Sequence, residues 1–518
     1  MSLFHSRKDA YALASVCLAA LMFALEISSV PVILSTLEKV LHGDLKDMQW
    51  IMNAYTIACT TVLMAAGTLA DRYGRKRMFI ICLTCFGITS LICGLATSMP
   101  TLIAARFLQG MSGGAMTICL MAILSHQFQD RAMRSRAFGA FGIMLGVGLG
   151  FGPLIGGAIV ALLNWQWVFL VHVPLTALTV LLAYQGIKES RDPHAKKLDL
   201  LGIMTLSLSV FGLTYFITQG ADLGFSSLPA LIIIAVTVCS FIAFIIVEKS
   251  RAHPMFDFSV FKSRNFSGAI MGSIGMNFSF WPFIIYLPLY FQSALGYDAI
   301  HAGLALLAYT LPTLIVPPFA ERLSLRYQPR LVIPAGLFMI GLGFMLMRYA
   351  SGLPDASWLT MLPGSLLAGI GLGLTNTPVT NTATASVSSS RAGMASGIDM
   401  SARLITLAIN IALMGFILLE SVLASLKNSV AGVLSDTQLR LAAEMVAAGN
   451  LSGLAQRIPE IVQLDDAEAL LHTALVHGFG TVMLYGGIGV WILAALSYAI
   501  FGPRAAHQAA PAEVGEPL

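Results

Sequence analysis

Charge is scarce in this chain: of 518 residues, 11% are Asp, Glu, Lys or Arg, against 57% that are hydrophobic. Soluble domains carry roughly a quarter of their residues charged, so a soluble globule is excluded. The two signs nearly cancel, 30 basic against 26 acidic, and no polybasic tail or helix face is present to track a phosphate backbone. Nucleic acid is therefore excluded as a partner. All seven cysteines (Cys17, Cys59, Cys82, Cys85, Cys93, Cys119, Cys239) lie inside apolar runs, and the one long polar stretch, 420–472, has none. No disulfide framework is implied. Cys82-Leu-Thr-Cys85 has redox or zinc spacing, but it has no second pair and reads as small packing residues. The chain also lacks His-Glu-x-x-His, a strand-borne nucleophile elbow and a Gly-Lys-Ser/Thr phosphate loop, which argues against an enzyme and an ATP-driven pump. No metal and no cofactor is expected.

What is abundant is long apolar sequence, with a mean hydropathy of +0.80. An apolar run of about 20 residues crosses the hydrocarbon core as a helix, because lipid offers nothing to an open backbone. Fourteen such runs are expected, near Tyr11 to Leu37, Trp50 to Ala70, Met78 to Thr97, Thr101 to Ser125, Ala137 to Leu163, Trp167 to Ile187 and Leu200 to Thr218. The others lie near Leu228 to Val247, Phe266 to Gln292, Ile300 to Phe319, Leu331 to Tyr349, Trp358 to Ser386, Gly393 to Leu419 and Thr473 to Phe501. The positive-inside rule tests this count, since one missed helix would invert every later loop. Of the 30 Lys and Arg, 22 fall in the termini and alternate loops and five in the opposite loops. An even number of helices with both termini cytoplasmic follows. The first run is too long for a signal-peptide core and contains Glu26, so it reads as an uncleaved helix.

The second loop, Gly67-Thr-Leu-Ala-Asp-Arg-Tyr-Gly-Arg-Lys-Arg77, has a counterpart after the tenth run, Ala320-Glu-Arg-Leu-Ser-Leu-Arg-Tyr-Gln-Pro-Arg330. Both begin Ala, acid, Arg, and each is the second loop of a six-helix half. The expected fold is an all-α integral membrane protein of two pseudo-symmetric six-helix bundles with two extra central helices. Its divisions are a bundle over 1–190, an inserted pair over 191–250, a second bundle over 251–501 with an outward loop at 420–472, and a cytoplasmic tail over 502–518. Such paired halves suit alternating access around a midplane cavity.

Several motifs in this order resemble the 14-span drug:proton antiporters of the major facilitator superfamily. They are Gly67-x-Leu-Ala-Asp71-Arg72-x-Gly74-Arg75-Lys76, Arg106-x-x-Gln109-Gly110, and Gly148-x-Gly150-x-Gly152-Pro153-x-x-Gly156-Gly157. Trp165-x-Trp167-Val-Phe169, Leu198-Asp199-x-x-Gly202, Leu295-Gly296-Tyr297 and Gly393-x-x-Ser396-Gly397 with Arg403 accompany them. The resemblance covers nearly the whole chain. It implies a bacterial inner-membrane efflux transporter, driven by the proton gradient, for drugs or other small amphiphiles. An exporter of an endogenous product such as a siderophore or organic acid is the alternative, and a sensor that binds without transport is a third reading. By the same resemblance, Gly67, Asp71, Arg72, Gly74 and Arg75 form a conformational latch, and Gly148, Gly152, Pro153, Gly156 and Gly157 shape a gate. The family usually carries Asp, followed by Thr and Asn, in its first helix; this chain has Leu25-Glu26-Ile27-Ser28-Ser29-Val30-Pro31.

Ionisable groups at bilayer depth each cost about 3 kcal/mol and so tend to mark a pathway or a pair. Glu26 lies roughly 22 Å along the first helix at 1.5 Å per residue, a depth compatible with pairing to Arg106 in the fourth. Glu26 is then either a proton carrier tuned by Arg106 or a structural partner for it. Asp399 and Arg403 share a helix face at i,i+4; Asp399 is the second candidate for proton or substrate binding. His172 reads as a satisfied hydrogen-bonding residue. Asn277, Trp281, Tyr286, Tyr290, Asn376 and Asn381 are candidates to line the cavity, with Phe280 and Gln292 beside them. The outward segment 420–472 shows helical patterning at Leu439 to Val446 and is expected to cap the vestibule, dock a periplasmic adaptor or simply connect two helices. The partners expected are a small-molecule substrate, protons and the lipid bilayer, and the chain is expected to be a monomer.

Overall fold

The computed structural model describes residues 6–501 apart from 129–130, 192–198, 251–257, 388–391, 430–433, 451–453, 455–456 and 463–465. The side chains of Gly67, Asp71, Gly393 and Ser396 also lie outside the described residues. Among those described there is no strand. The first eight helices are α1 (Arg7–Ser28), α2 (Val30–Leu41), α3 (Leu45–Tyr73), α4 (Arg75–Gly94), α5 (Met99–Gln127), α6 (Arg131–Leu162), α7 (Gln166–Leu170) and α8 (His172–Gly186). A peripheral pair follows, α9 (Leu200–Leu223) and α10 (Leu228–Ser250). The remainder are α11 (Arg264–Phe278), α12 (Phe280–Ser293), α13 (Ala299–Thr310), α14 (Pro312–Ile315), α15 (Pro317–Tyr327), α16 (Pro329–Ser351), α17 (Trp358–Ala385), α18 (Ala392–Ser429), α19 (Asp436–Ala448), α20 (Pro459–Val462) and α21 (Ala467–Phe501).

Among the described residues, twelve helical stretches are long and apolar enough to cross a membrane, and the bent run Ala299–Ile315 with Pro317–Ser324, angled at 43°, makes a thirteenth if it is one span. The other span expected from the sequence falls on α3, 29 residues long. Several runs expected as continuous are broken. Proline supplies no amide to the turn before it, and the breaks fall where one follows: Ser29 before Pro31, Ser279 before Pro282, Leu311 before Pro312 and Val316 before Pro317. At the first break the hydroxyls of Ser28 and Ser29 bond back to the carbonyls of Ala24 and Leu25 at 2.9 and 2.6 Å. The chain thus bends just beyond Glu26. At the other extreme, α18 runs through Ser429, ten residues into the stretch read as loop.

The internal repeat is visible in the backbone, in a register one helical turn from the one its Ala-acid-Arg start suggests. Gly74 ends α3 at φ +113° and Gln328 ends α15 at φ +71°. Arg72-Tyr73 and Arg326-Tyr327 precede them, each arginine lying over the next tyrosine ring, at 5.6 and 5.2 Å. A positive φ strains any residue with a Cβ by about 1 kcal/mol or more, which Gly74 avoids and Gln328 bears.

Helix α6 is wedged between two neighbours by two stripes of small residues. Gly148, Gly152 and Gly156 face α1 and its break: a Cβ on Gly148 would meet Ala24 at 2.5 Å, one on Gly156 would meet Ser29 at 2.8 Å, and Gly152 lies against Ser28. Gly146, Gly150 and Gly157 face α13 and α14 at Leu314, Leu311 and Ala299, and Gly303 packs on the Pro153 carbonyl. Pro153 withholds the amide that residue 149 would bond. Hydroxyls take the flanking carbonyls instead, Ser28 on Gly148 at 2.9 Å and Thr310 on Gly150 at 2.7 Å. Helices α9 and α10 are the least buried of the long apolar helices, at 28% and 22%; α9 packs on α3 and α18, and α10 on α9. The outward helix α19 starts in a Ser435–Gln438 capping box and buries Leu439, Ala442, Ala443 and Val446.

Gly156→Leu is expected to lower stability by about 1–3 kcal/mol through overpacking against Ser29, seen as a lower melting temperature in detergent. Gly142→Leu, where a Cβ meets nothing within 4 Å, is expected to leave it unchanged.

Candidate functional site

A fully buried polar cluster is assembled from residues of α1, α3, α4, α5, α7 and α8. Glu26 and Arg106 are both fully buried, and one guanidinium nitrogen of Arg106 donates to Glu26 Oε2 at 2.6 Å. Gln109, one turn along α5, closes the ring: its amide nitrogen donates to Glu26 Oε1 at 2.6 Å and to Ser90 at 2.8 Å, and its oxygen accepts from Arg106 at 2.6 Å. Arg106 Nε donates to the Ile51 carbonyl of α3 at 3.2 Å. The guanidinium also lies over aromatic faces, 4.3 Å from the Tyr55 ring and 5.8 Å from Phe169, which stabilises a desolvated cation. His172, read from sequence as a satisfied residue, is instead without a hydrogen-bond partner at either ring nitrogen and stands 3.5 Å from Glu26 Oε1. Desolvating a carboxylate and a guanidinium costs several kcal/mol each, and only close pairing with near-complete hydrogen bonding offsets it.

Asp399 does not join this cluster; it has its own in the later helices. Arg403 grips it along α18 at 3.1 Å (Nε) and 3.0 Å (Nη2), and reaches Asn376 and Thr380 of α17 at 2.5 and 2.8 Å. Ser273 of α11 donates to Asp399 Oδ1, and Asn277 bonds the Ser273 carbonyl at 2.9 Å. Ser273 and Thr380 are members that sequence reasoning did not name.

Between the two sets of helices at mid-depth lies a narrow apolar pocket walled by Phe23, Met52, Tyr55, Trp281, Ile284 and Leu404 among others, with about 20 Å³ free. A drug-sized ligand needs several hundred, so this conformation is occluded. Tyr55 belongs both to the pocket wall and to the Arg106 cluster. Of the side chains expected to line a cavity, Trp281 is here. Tyr286 instead donates to the Ile411 carbonyl at 2.5 Å, Tyr290 faces an outer cleft, Asn376 holds Arg403, and Asn381 ties α17 to Glu321 of α15 at 2.6 Å. Phe23, Met52 and Leu404 carried no sequence signal, because an apolar residue in an apolar helix does not announce which face it is on.

At the end of the molecule where α2 turns into α3, polar contacts join early and late helices. Gln292 of α12 accepts from Ser35 and donates to the Val32 carbonyl at 3.0 Å. Helix α19 and the turn after it reach across as well: Asn450 donates to Glu38 at 2.7 Å, and Glu444 of α19 lies 3.8 Å from Lys46. Glu38 is buried with its second oxygen unpartnered. Burial pushes its carboxyl above the usual range, against the Asn450 hydrogen bond and Lys39, which lower it, and with Asp44, which adds to the rise.

At the far end of α3, Gly74 makes the tight turn and Glu189 caps the start of α4, accepting from the amides of Lys76 and Arg77 at 3.1 Å each. A carboxylate suits a helix N-terminus. Arg75 donates its amide to the Ser190 carbonyl at 3.0 Å, Lys76 binds the Tyr184 carbonyl at 2.7 Å, and Arg72 is exposed. Gly67 and Asp71 of the expected latch lie outside the described residues.

A profile of the Major Facilitator Superfamily matches residues 16–409. The chain is 30% identical over 400 residues to the multidrug resistance protein Stp of Mycobacterium tuberculosis, covering 77% of this chain and 74% of that one. It is 28% identical over 421 residues to the drug efflux pump JefA of the same species, covering 81% and 82%. To the puromycin resistance protein pur8 of Streptomyces alboniger it is 29% identical over 399 residues, covering 76% and 79%. Its fold matches the crystal structure of a bacterial homolog of the human lysosomal transporter Spinster with a TM-score of 0.61, at 15% identity over 96% of this chain and 98% of that one.

Removing one member of the buried pair strands the other. Arg106→Leu is expected to cost about 3–5 kcal/mol, and the double variant Glu26→Gln/Arg106→Leu less than that, as read by melting of the purified proteins. The Glu38–Asn450 contact has a pH sign. A raised carboxyl means that the docked state holds its proton more tightly, so docking is strongest in acid and is lost as pH rises through the raised value. Spin labels on Val40→Cys and Thr437→Cys are expected to separate on alkalinisation, and Glu38→Gln to abolish that dependence.

Proposed function

Because this chain belongs to the Major Facilitator Superfamily, whose members are transporters rather than enzymes, we propose that it exports small amphiphilic compounds, drugs among them, in exchange for inward-moving protons. Its drug-efflux relatives support the direction and the substrate class. The carrying observation is the position of Tyr55, one face toward the midplane pocket and the other over Arg106. A substrate entering the pocket displaces Tyr55 and loosens Arg106 from Glu26. Parted from its cation in an apolar core, the Glu26 carboxylate would be an unpaired charge, and uptake of a proton removes that cost. Return of Arg106 expels the proton. Glu26 is thus the proton carrier and Arg106 its gate, with Asp399 a second, weaker member through Arg403.

The mechanism is a rocking of two bundles, 1–190 and 251–501, about α6 and α13, with 191–250 an inserted pair and α3 the fourteenth span. The glycines and Pro153 of α6 form the sliding gate, the loop through Gly74 and Arg75 is the inner latch, and the segment after α18 is the cap of the outer mouth. The protein works as a monomer in the bacterial inner membrane with both termini cytoplasmic, and the proton gradient is its energy source. No carboxylate lines the midplane pocket, which favours an uncharged amphiphile over a cation. For the same reason export of an endogenous uncharged product is the second reading.

The test is efflux in energised inverted vesicles, using a panel of uncharged, cationic and anionic fluorescent amphiphiles with a protonophore control. The parent is expected to accumulate the uncharged probe in a protonophore-sensitive way, Glu26→Gln to lose this, and Asp399→Asn to keep part of it. Protonophore-insensitive transport by the parent, or full coupling in Glu26→Gln, would contradict the mechanism.

A further inference from the structure

One sizeable cleft lies away from the interface between the two sets of helices. It opens at the outer end of the later set, where α12, α16 and α21 part, and has a volume of about 670 Å³. Its walls hold an unusual set of side chains for an apolar protein: Arg348, His472 and His477, with Tyr290 and Tyr297, and no carboxylate among the lining residues. Arg348 and His477 are exposed, and among the described residues neither side chain makes a hydrogen bond or ion pair. His472 donates one ring nitrogen to the Ala294 carbonyl at 3.0 Å, which holds the ring at the rim. At the back, Tyr290 is fully buried, and its hydroxyl has no partner. A buried hydroxyl left without a hydrogen bond costs about 1–3 kcal/mol, a cost that an acceptor entering the cleft would remove.

An arginine at the end of a membrane helix ordinarily extends to whatever lipid phosphate is nearest. Here it stands over a cavity of ligand size, beside two imidazoles. The floor is small and smooth, formed by Gly480, Thr473 and Thr481. On the membrane side α16 presents Leu346 and Tyr349 outward, so an acyl chain can lie along the helix while its head enters the cleft.

We propose that this cleft is a binding site for a phosphate-type anion at the level of the outer leaflet, with Arg348 as its charged contact, the His477 imidazole as a hydrogen-bond donor beside it and the Tyr290 hydroxyl as a donor at its base. The anion comes either from the headgroup of an acidic phospholipid or from a soluble phosphate. The site is separate from the midplane pocket, to which Tyr290 does not belong, and it does not depend on the transport reading.

The test uses the full chain purified in a neutral detergent, with binding followed by native mass spectrometry and by thermal shift. The probes are dioleoyl phosphatidylglycerol, dioleoyl phosphatidylcholine and inorganic phosphate. Saturable binding of phosphatidylglycerol, weakened about tenfold by Arg348→Gln, which is one charge-assisted contact of about 1.4 kcal/mol, is the expected result. His477→Gln, at an equally exposed position, is expected to weaken it in the same direction. Tyr290→Phe is expected to melt no lower than the parent without ligand and to gain less from phosphatidylglycerol. Binding of the lipid but not of phosphate assigns the anion to a headgroup; equal binding of phosphate assigns it to a soluble source. Equal retention of phosphatidylcholine and phosphatidylglycerol, or binding indifferent to both Arg348→Gln and His477→Gln, would overturn the proposal.

Discussion

A carboxylate and a guanidinium held together where no water reaches is the constraint on which this structure turns. Each of Glu26 and Arg106 is far too costly to bury alone, so every element near them serves the pair. Helix α5 supplies Gln109 one turn beyond Arg106 to close the ring of hydrogen bonds. Helix α4 supplies Ser90, α3 supplies a backbone carbonyl, and Tyr55 and Phe169 cover the cation with aromatic faces. Such a cluster is rigid while complete and unstable when any member moves. Tyr55 is the member that also touches the midplane pocket, and in the proposed mechanism this joins the binding of a solute to the state of a charge.

The backbone around the pair is built for close approach and for bending. The break at Ser29 lies three residues past Glu26, and the glycine stripe of α6 is pressed against it, so the helix carrying the carboxylate and the helix facing the later bundle meet with only the small side chains of Ala24, Ser28 and Ser29 between them. The later bundle repeats the device, with α11 and α12 parted at Ser279 just before Pro282. The two loops that end α3 and α15 repeat it again in their shared Arg-Tyr and positive φ. The early and late helices are thus more alike in their backbone breaks than in their ionisable groups: the buried acid Glu26 sits on α1, and Asp399 on α18.

Much of this could be read in the sequence, and the exceptions have physical causes. The depth of Glu26 and Arg106 followed from the rise per residue, and the Asp399–Arg403 contact from helical spacing. The prolines marked each broken run, although hydropathy alone joined the fragments, because a bent helix is as apolar as a straight one. Which side of a helix meets the cavity was not legible for Tyr286, Tyr290, Asn376 or Asn381. In a membrane the lipid face and the packed face are both apolar, so the amphipathic signal that orients a helix in a soluble protein is missing. The docking of Asn450 on Glu38, 412 positions earlier in the chain, had no local signal either. Only its helical pattern, at Leu439 to Val446, was there to be read.

The central claim of the proposed mechanism is that parting Arg106 from Glu26 is what lets Glu26 take up a proton. Infrared spectroscopy of the purified protein measures this directly through the carbonyl stretch of a protonated carboxylic acid. At neutral pH the account predicts that Arg106→Leu shows such a band where the parent does not, and that the band disappears in Glu26→Gln/Arg106→Leu. If Arg106→Leu, folded and inserted, shows only the bands of ionised carboxylates, then Glu26 keeps its charge without a partner, and the link between the pair and proton movement is broken.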